Sequence, residues 1–313
     1  MKQLKKLIGA IAIGIIFASC SSDSDGFNPY ENQEKAPLYP RTLTYKNHND
    51  NSRTTENWTF AYNADNSIKE FSCNQTITTG NLRITETQNA TLNYGTDLEG
   101  NKLIKSEIEV NYKSSDLTDS FQYKDNITET VRFEDGNIVK IESHCKRTSD
   151  NKEENSYSEW SFSYSNDFCT GAVFKSQNET NIYTYEWSGE RLAKVIINGE
   201  HKSGDLRNEI FEYSYNTKNL IKDYGFNPMA FVYGHMPMAY AAMGFFGKET
   251  PYLLEVQTYE LSVRNPNVNN GHPYQEKKLT RDYRIEDNSS SITIKVDSDT
   301  NNQSEYYFRF FSV

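Results

Sequence analysis

The stretch Trp58–Phe71, WTFAYNADNSIKEF, decides the fold. Trp58, Phe60 and Tyr62 stand at alternate positions, so they share one face when the chain is extended. Residues 63–66 are rich in Asn and Asp, which favour a turn. Apolar residues follow the turn and supply a returning strand. The stretch therefore predicts a β-hairpin with one apolar face.

The same pattern recurs in five more copies along the chain. A copy has an alternating aromatic strand, a polar turn, and a return strand in which Ile or Leu is closely followed by Lys. A lone hairpin is marginally stable in water, so six in series predict side-by-side pairing in one sheet. The lysines are expected on the solvent face. The turn-side aromatics are Tyr62, Tyr94, Phe133, Tyr164, Trp187 and Tyr215.

These hairpins predict an all-β fold, a curved antiparallel meander that is either open or closed like a barrel. Residues 41–313 would form this single domain. The segment 227–247 departs from the pattern, because it holds every Met except the initiator and is broken by Pro237. Asn227, Pro228 and Gly247 supply helix start and stop signals. We expect one short inserted helix near 237–246, either a plug packed on the sheet or a Met-rich binding surface.

Residues 1–19 have the pattern of a secretory signal peptide. A basic start is followed by an apolar run that is too short to span a membrane, and then by Ala18 and Ser19. The stretch 17–20, FASC, resembles the lipobox of bacterial lipoproteins. The resemblance implies that Cys20 is lipidated and becomes the first residue of the mature chain. The alternative is a plain signal peptide followed by a free cysteine.

Residues 20–40 are expected to be a flexible tether, since they contain three prolines and few periodic apolar residues. Asp23 and Asp25 follow the cysteine in CSSDSDG, which resembles the acidic export signals of surface lipoproteins in Bacteroidetes. This resemblance implies an outer-membrane lipoprotein on the cell surface. The alternative is the periplasmic leaflet, with the acids serving only as a solvated tether.

Charge and composition exclude several classes of partner. The net charge is −10, and removal of residues 1–19 takes away three lysines and no acids, which leaves −13. Such an acidic chain is a poor ligand for nucleic acid or for anionic headgroups. No metal or cofactor is expected, because the five histidines are dispersed and no CxxC occurs. Cys73, Cys145 and Cys169 are interpreted as small apolar residues on strands.

The chain lacks the sequence signatures of catalysis, including HExxH, GxSxG and phosphate-binding glycine loops. We therefore expect a protein that is not an enzyme, although carboxylate pairs for glycan hydrolysis cannot be recognised from spacing alone. Trp58 and Trp160 precede their turn-side aromatics by the same interval, and with Trp187 they are candidates for stacking on sugar rings. The alternative is that they are core residues of equivalent repeats.

Hairpins of this form resemble the degenerate YD-type repeats of many Bacteroidetes lipoproteins, including a family of unknown function with a porin-like fold. The nearest match to the Gly-Arg turn of true YD repeats is GER at 189–191, so their long shell is not expected. The resemblance implies a curved sheet and no activity. Alternating Lys and Glu in 131–143 leave only one apolar side per strand, so the sheet is expected to lie in water rather than in lipid.

Together these features predict a lipid-anchored lipoprotein of the cell envelope. Its expected role is a non-enzymatic binding or scaffold module, with a glycan or an envelope protein as partner. The alternatives are an extracellular glycan hydrolase and a purely structural envelope lipoprotein.

Overall fold

The computed structural model describes residues 38–49, 51–64, 67–116, 120–149, 152–220, 250, 252–268, 271–288, 291–298 and 303–312. The predicted signal peptide, Cys20, most of the tether and the predicted helix at 237–246 lie outside these residues. The described part of the chain contains sixteen β-strands and no α-helix. The strands are β1 (Leu38–Asn49), β2 (Ser52–Tyr62), β3 (Ile68–Thr79), β4 (Leu82–Thr96), β5 (Lys102–Ser115), β6 (Ser120–Glu134), β7 (Asn137–Ser149), β8 (Lys152–Ser165), β9 (Phe168–Ser176), β10 (Glu179–Ser188), β11 (Arg191–His201), β12 (Leu206–Leu220), β13 (Tyr252–Arg264), β14 (Pro273–Asn288), β15 (Ser291–Ser298) and β16 (Gln303–Ser312).

The strands form one closed antiparallel barrel in which each strand pairs with its neighbours in sequence. β16 pairs with β1 from Leu38↔Ser312 to His48↔Gln303, and this pairing closes the sheet. The predicted meander of hairpins is confirmed, and the open alternative is wrong. β1 begins at Leu38, three residues before the expected start of the domain.

Side chains alternate between the two faces of the barrel wall. On β6 the buried residues occupy odd positions from Tyr123 to Phe133, and the even positions between them are exposed or half-buried. The buried faces of most of the wall meet in one apolar cluster, in which Leu43, Ile68 and Phe308 are at most 1% exposed. A second, smaller cluster of Ile84, Tyr112 and Tyr123 lies on β4, β5 and β6. Barrels of sixteen to eighteen strands commonly enclose water, whereas apolar side chains pack the interior here.

The tight turns follow the local sequence. Asp135 and Gly136 link β6 to β7 with φ angles of 49° and 81°. Positive φ at both positions is the type I′ geometry, which suits the right-handed twist of a two-residue hairpin. Asn166 and Asp167 adopt the same left-handed conformation between β8 and β9. The turns predicted from Asn, Asp and Gly are therefore formed with the expected chemistry.

The barrel has two ends with different turns. We call the end where β1 begins the tether end; it carries the turns at 97–101, 135–136, 166–167 and 189–190. The opposite end, with the turns at 80–81, 177–178 and 202–205, is the distal end.

Five turn-side aromatics form equivalent hydrogen bonds at the tether end. Each donates from its hydroxyl or indole nitrogen to a backbone carbonyl of the preceding strand, and so ties one hairpin to the one before it. We call these hydrogen bonds latches. They are Tyr62 to Pro40 (2.6 Å), Tyr94 to Ile68 (2.6 Å), Tyr164 to Ile138 (2.6 Å), Trp187 to Cys169 (2.8 Å) and Tyr215 to Leu192 (2.8 Å).

β-Bulges accompany most of these aromatics. The pairing register shifts immediately before Tyr62, Phe133, Tyr164, Trp187 and Tyr215. In each case the extra residue lies on the following strand, so the bulge changes the side-chain direction there. The aromatics keep the alternation of their own strand, and Tyr94 forms its latch without a bulge. Phe133 has no hydroxyl and instead is buried in the core, 6% exposed.

Candidate functional site

The three tryptophans predicted to bind sugar lie in the wall of the packed core. Trp58 and Trp160 are 4% and 9% exposed. Trp58 stacks on Phe60 with ring centroids 6.5 Å apart, and Trp160 stacks on Phe162 at 5.8 Å. Trp187 packs against the core and donates its indole N–H in a latch. Their ring faces are therefore occupied by protein, as in the core-residue alternative, and sugar stacking on them would require these side chains to move.

The other residues singled out in the sequence are dispersed. Cys73 and Cys169 are buried, Cys145 is half-buried, and none of the three forms a disulfide. Among the described residues, no cluster of three His, Cys, Asp or Glu side chains could hold a metal ion. Within the same residues, no helix has the length and apolarity needed to cross a membrane.

Polar side chains line the inner face of the barrel near the distal end. Strand register places five of them side by side on five adjacent strands. They therefore form one continuous row that runs perpendicular to the strands. We call this set the mouth row. It consists of Glu56 on β2, Gln75 on β3, Glu86 on β4, Tyr112 on β5 and Tyr123 on β6.

Glu56 and Glu86 differ in their partners. Gln75 donates its side-chain N–H to Glu56 Oε1 at 2.6 Å, and the Trp58 indole N–H lies 3.3 Å from Oε2. Both oxygens of Glu56 are thus hydrogen-bonded by neutral groups. The Glu86 carboxylate forms no hydrogen bond or ion pair with the described residues. It is half-buried and faces the interior.

Asp125 and Arg147 form an ion pair one row deeper on β6 and β7. Asp125 is 1% exposed, and it accepts hydrogen bonds from Arg147 Nε at 2.8 Å and from Nη2 at 2.7 Å. A bidentate pair of this kind compensates much of the desolvation of both charges. The Arg147 guanidinium also lies 4.0 Å from the centre of the Tyr123 ring.

The tyrosines of the mouth row are tightly packed. The rings of Tyr112 and Tyr123 stack with centroids 4.6 Å apart and an interplanar angle of 10°. Tyr123 is 7% exposed, and its hydroxyl is buried without a hydrogen-bond partner. An unpaired buried hydroxyl is unfavourable by about 1–3 kcal/mol, so this position is not optimised for stability.

Burial and like charges shift the acid–base behaviour of the row. The pKa of Glu86 is raised to about 7, first by burial and then by the nearby charges of Glu56 and Asp125, while Arg147 opposes the shift. Burial also raises the pKa of Glu56, against the lowering effect of its hydrogen bonds from Gln75 and Trp58. The row therefore contains a carboxyl group that changes charge near neutral pH.

The opposite wall of the distal interior is also polar, and its charged groups are paired. Arg281 donates to the side-chain oxygen of Gln257 at 2.6 Å. Tyr259 donates to Glu209 at 2.7 Å, and Arg207 forms an ion pair with the same carboxylate at 2.6 Å. Glu86 is thus distinguished from the acids of this wall by having no partner among the described residues.

The sequence pattern did not single out the mouth row. The row can be recognised by polar residues at positions where the strand alternation predicts buried apolar ones. On β4 the positions 84, 86, 88, 90 and 92 face inward, and Glu86 and Gln88 interrupt an otherwise apolar series. Counting back in steps of two from Leu92 would have found Glu86. The arrangement can bind a cation or a hydrogen-bonding ligand.

Comparison with known proteins agrees with the fold. No family model and no curated protein matches the chain. A crystal structure of a porin-like protein from Bacteroides vulgatus ATCC 8482 aligns over 88% of this chain and 100% of its own, with a TM-score of 0.54 and 13% identity. A porin-like protein from Bacteroides uniformis ATCC 8492 aligns over 87% and 96%, with a TM-score of 0.47 and 13% identity. The first likeness shows that the closed barrel is a fold already seen in a Bacteroides protein described as porin-like.

Proposed function

We propose that this chain is a lipid-anchored, non-enzymatic protein of the cell envelope, whose barrel lies in water and binds a glycan or protein ligand at its distal end. The observation that carries the proposal is the polarity of the two faces of the wall. The apolar face is packed inside the barrel, and the outer face is charged.

Ion pairs cross the outer face from strand to strand. Lys140 on β7 lies 2.9 Å from Glu159 on β8, and Lys146 lies 2.9 Å from Glu153 on the same two strands. Lys124 on β6 pairs with a glutamate on β5. A single Lys or Arg at the lipid-facing midplane of a membrane barrel costs about 2–4 kcal/mol. This surface therefore favours water over lipid as its surroundings.

The anchor in this proposal is the predicted lipid on Cys20. From Cys20 to Leu38 the chain can extend about 65 Å at most, at roughly 3.3–3.6 Å per residue. Since β1 begins at the tether end, that end is attached to the membrane, and the polar distal end is free to meet a partner. The tether allows this arrangement on either face of the outer membrane, and Asp23 and Asp25 after Cys20 favour the cell surface over the periplasmic leaflet.

The alternative is an extracellular glycan hydrolase. It is favoured by Glu86, since a carboxyl group with a pKa near 7 suits a general acid. The mechanism also needs a second carboxylate with a free oxygen. Glu56 and Asp125 have both oxygens hydrogen-bonded by neighbouring donors. We therefore rank binding first; release of sugars from envelope polysaccharide by the wild type, but not by Glu86→Gln, would reverse that order.

Membrane fractionation of a Cys20→Ala variant tests the proposal. Without a lipid the exported barrel should fold and leave the membrane pellet, because it has no other anchor in this account. The wild type should stay in the pellet after a salt wash. A Cys20→Ala protein that remained in the washed pellet would show that the barrel itself is embedded.

A second variant, Asp23→Ala with Asp25→Ala, tests the sorting step. We expect it to remain membrane-bound but to lose accessibility to protease added outside intact cells. Unchanged accessibility would show that these acids belong only to the tether.

A further inference from the structure

We propose that the mouth row binds a small organic ammonium ion, with Glu86 as its counter-charge and the Tyr123 hydroxyl as a further acceptor. This inference goes beyond the proposed function by adding a small-molecule ligand at the distal end, and it rests on that end being open to water.

The first argument is the balance of charge. Glu56, Glu86 and Asp125 bring three carboxylates to one part of the inner face, and Arg147 is the cation that meets them there. Arg147 donates from Nε and Nη2 to the two oxygens of Asp125, and Glu56 accepts hydrogen bonds from neutral donors. The ionised row therefore lacks a positive charge beside Glu86, and a cationic ligand supplies it.

The second argument is independent of the acids. The Tyr123 hydroxyl is buried without a partner, on a side chain that is 7% exposed. Buried hydroxyls in folded proteins nearly always have a partner. Tyr123 faces the interior in the same row as Glu86, with Tyr112 between them, so its hydroxyl belongs to the same polar site. An ammonium group has three N–H donors, enough to bond a carboxylate and this hydroxyl together.

The donor set favours an ammonium ion over a metal ion. Calcium takes six to eight oxygen ligands, and the described residues hold no cluster of three metal-ligating side chains. The stacked rings of Tyr112 and Tyr123 already hold the Arg147 guanidinium, 4.0 Å from the centre of the Tyr123 ring. The mouth row thus offers a ligand one unpaired carboxylate and one unpaired hydroxyl.

Binding should depend on pH, because the ammonium ion needs Glu86 in its charged form. Affinity should rise between about pH 6 and pH 8, with a proton released at the lower end of this range. Several titratable or charged groups act on or adjoin the carboxyl group from neighbouring strands. They are Glu56 on β2, Cys73 on β3, Tyr112 on β5, Asp125 and Tyr123 on β6, and Arg147 on β7.

Calorimetric titration with 1,4-diaminobutane at pH 8 tests the inference on the full-length protein in a non-ionic detergent. We expect Glu86→Gln to weaken binding about tenfold or more, as loss of a charge-assisted hydrogen bond does. Glu107→Gln removes the same charge from an exposed position of β5 and should leave affinity unchanged. The uncharged analogue 1,4-butanediol should not bind.

Tyr123→Phe separates a ligand contact from a structural role. Removal of an unpaired hydroxyl should not lower the melting temperature, yet it should weaken diamine binding. Equal affinity of Glu86→Gln and Glu107→Gln, or binding of the diol as tight as the diamine, would overturn the inference. Neither result would bear on the proposal of a lipid-anchored barrel, which is tested separately by membrane fractionation of the Cys20→Ala variant.

Discussion

The two ends of the barrel interior are built from the same alternating strands but differ in how their side chains are satisfied. At the tether end five latches join consecutive hairpins. This half also holds buried hydroxyls without a partner, on Ser106 and Thr250. At the distal end the mouth row adds a half-buried carboxylate, Glu86, that has no partner among the described residues. Proteins commonly accept such local instability where a site must bind something. The latches therefore stabilise the tether end, and the candidate site lies at the distal end.

The largest effect is expected from the tether-end core. Phe133→Ala should lower the free energy of unfolding by about 3–5 kcal/mol, since it removes a buried ring and leaves a cavity. Lys69 follows the returning Ile68 and has an exposed side chain, so Lys69→Ala should change it by no more than about 0.5 kcal/mol. Chemical denaturation measures both. If the lysine variant were the damaging one, the inside and outside assignments would be inverted.

At the distal end, a substitution in the mouth row should raise the free energy of unfolding instead of lowering it. The native pKa of Glu86 is about 7, above its usual value, so the folded state binds this proton more tightly than the unfolded state. Stability should therefore fall as pH rises from about 4.5 to 7. Glu86→Gln removes this loss and should stabilise the protein by about 1–3 kcal/mol at pH 8.

The same variant should have nearly wild-type stability at pH 4, where Glu86 is protonated in both states. Urea denaturation at the two pH values gives the comparison. A Glu86→Gln protein that is less stable than the wild type at pH 8 would mean that the carboxylate has a stabilising partner, contrary to this description of the mouth row.

A smaller effect is expected from a single latch. Tyr164→Phe keeps the ring and removes the hydrogen bond to the Ile138 carbonyl, at a cost of about 0.5–1.5 kcal/mol. Tyr307 is 41% exposed and forms no latch, so Tyr307→Phe is the matched control and should have no measurable effect. Equal stability of the two variants would show that the latch hydrogen bond of Tyr164 does not stabilise the barrel.

The features that could be predicted from the sequence are the local ones. The hairpin of Trp58–Phe71 depends on alternation and a turn within fourteen residues, so its pattern is visible in the chain itself. Closure depends on the pairing of β1 with β16, which are separated by the whole domain, and no local pattern fixes it. The latches join side chains to carbonyls on neighbouring strands, and Tyr94 forms one without a bulge. The turn-side aromatics were recognised, but their hydrogen bonds were not.

The candidate site was missed because chemistry was sought in recognised motifs and in tryptophans. Trp58 and Trp160 share a repeat position because that position faces the core, as their burial shows. Glu86 was not noticed, since one acid in a chain with 43 acidic residues carries no signal by type. Glu86 stands out only because it occupies an inward-facing position of β4, and that is known only once the strand register is known.

The central claim is that the outer face of the wall lies in water while the protein is anchored by lipid. Thr128 is exposed near the middle of β6, and a spin label at Thr128→Cys in a Cys145→Ser background reports on its surroundings. With the lipidated protein in phospholipid vesicles, we predict strong relaxation by a water-soluble nickel chelate and weak relaxation by oxygen. Strong relaxation by oxygen with exclusion of the chelate would place the strand in the bilayer and contradict the account.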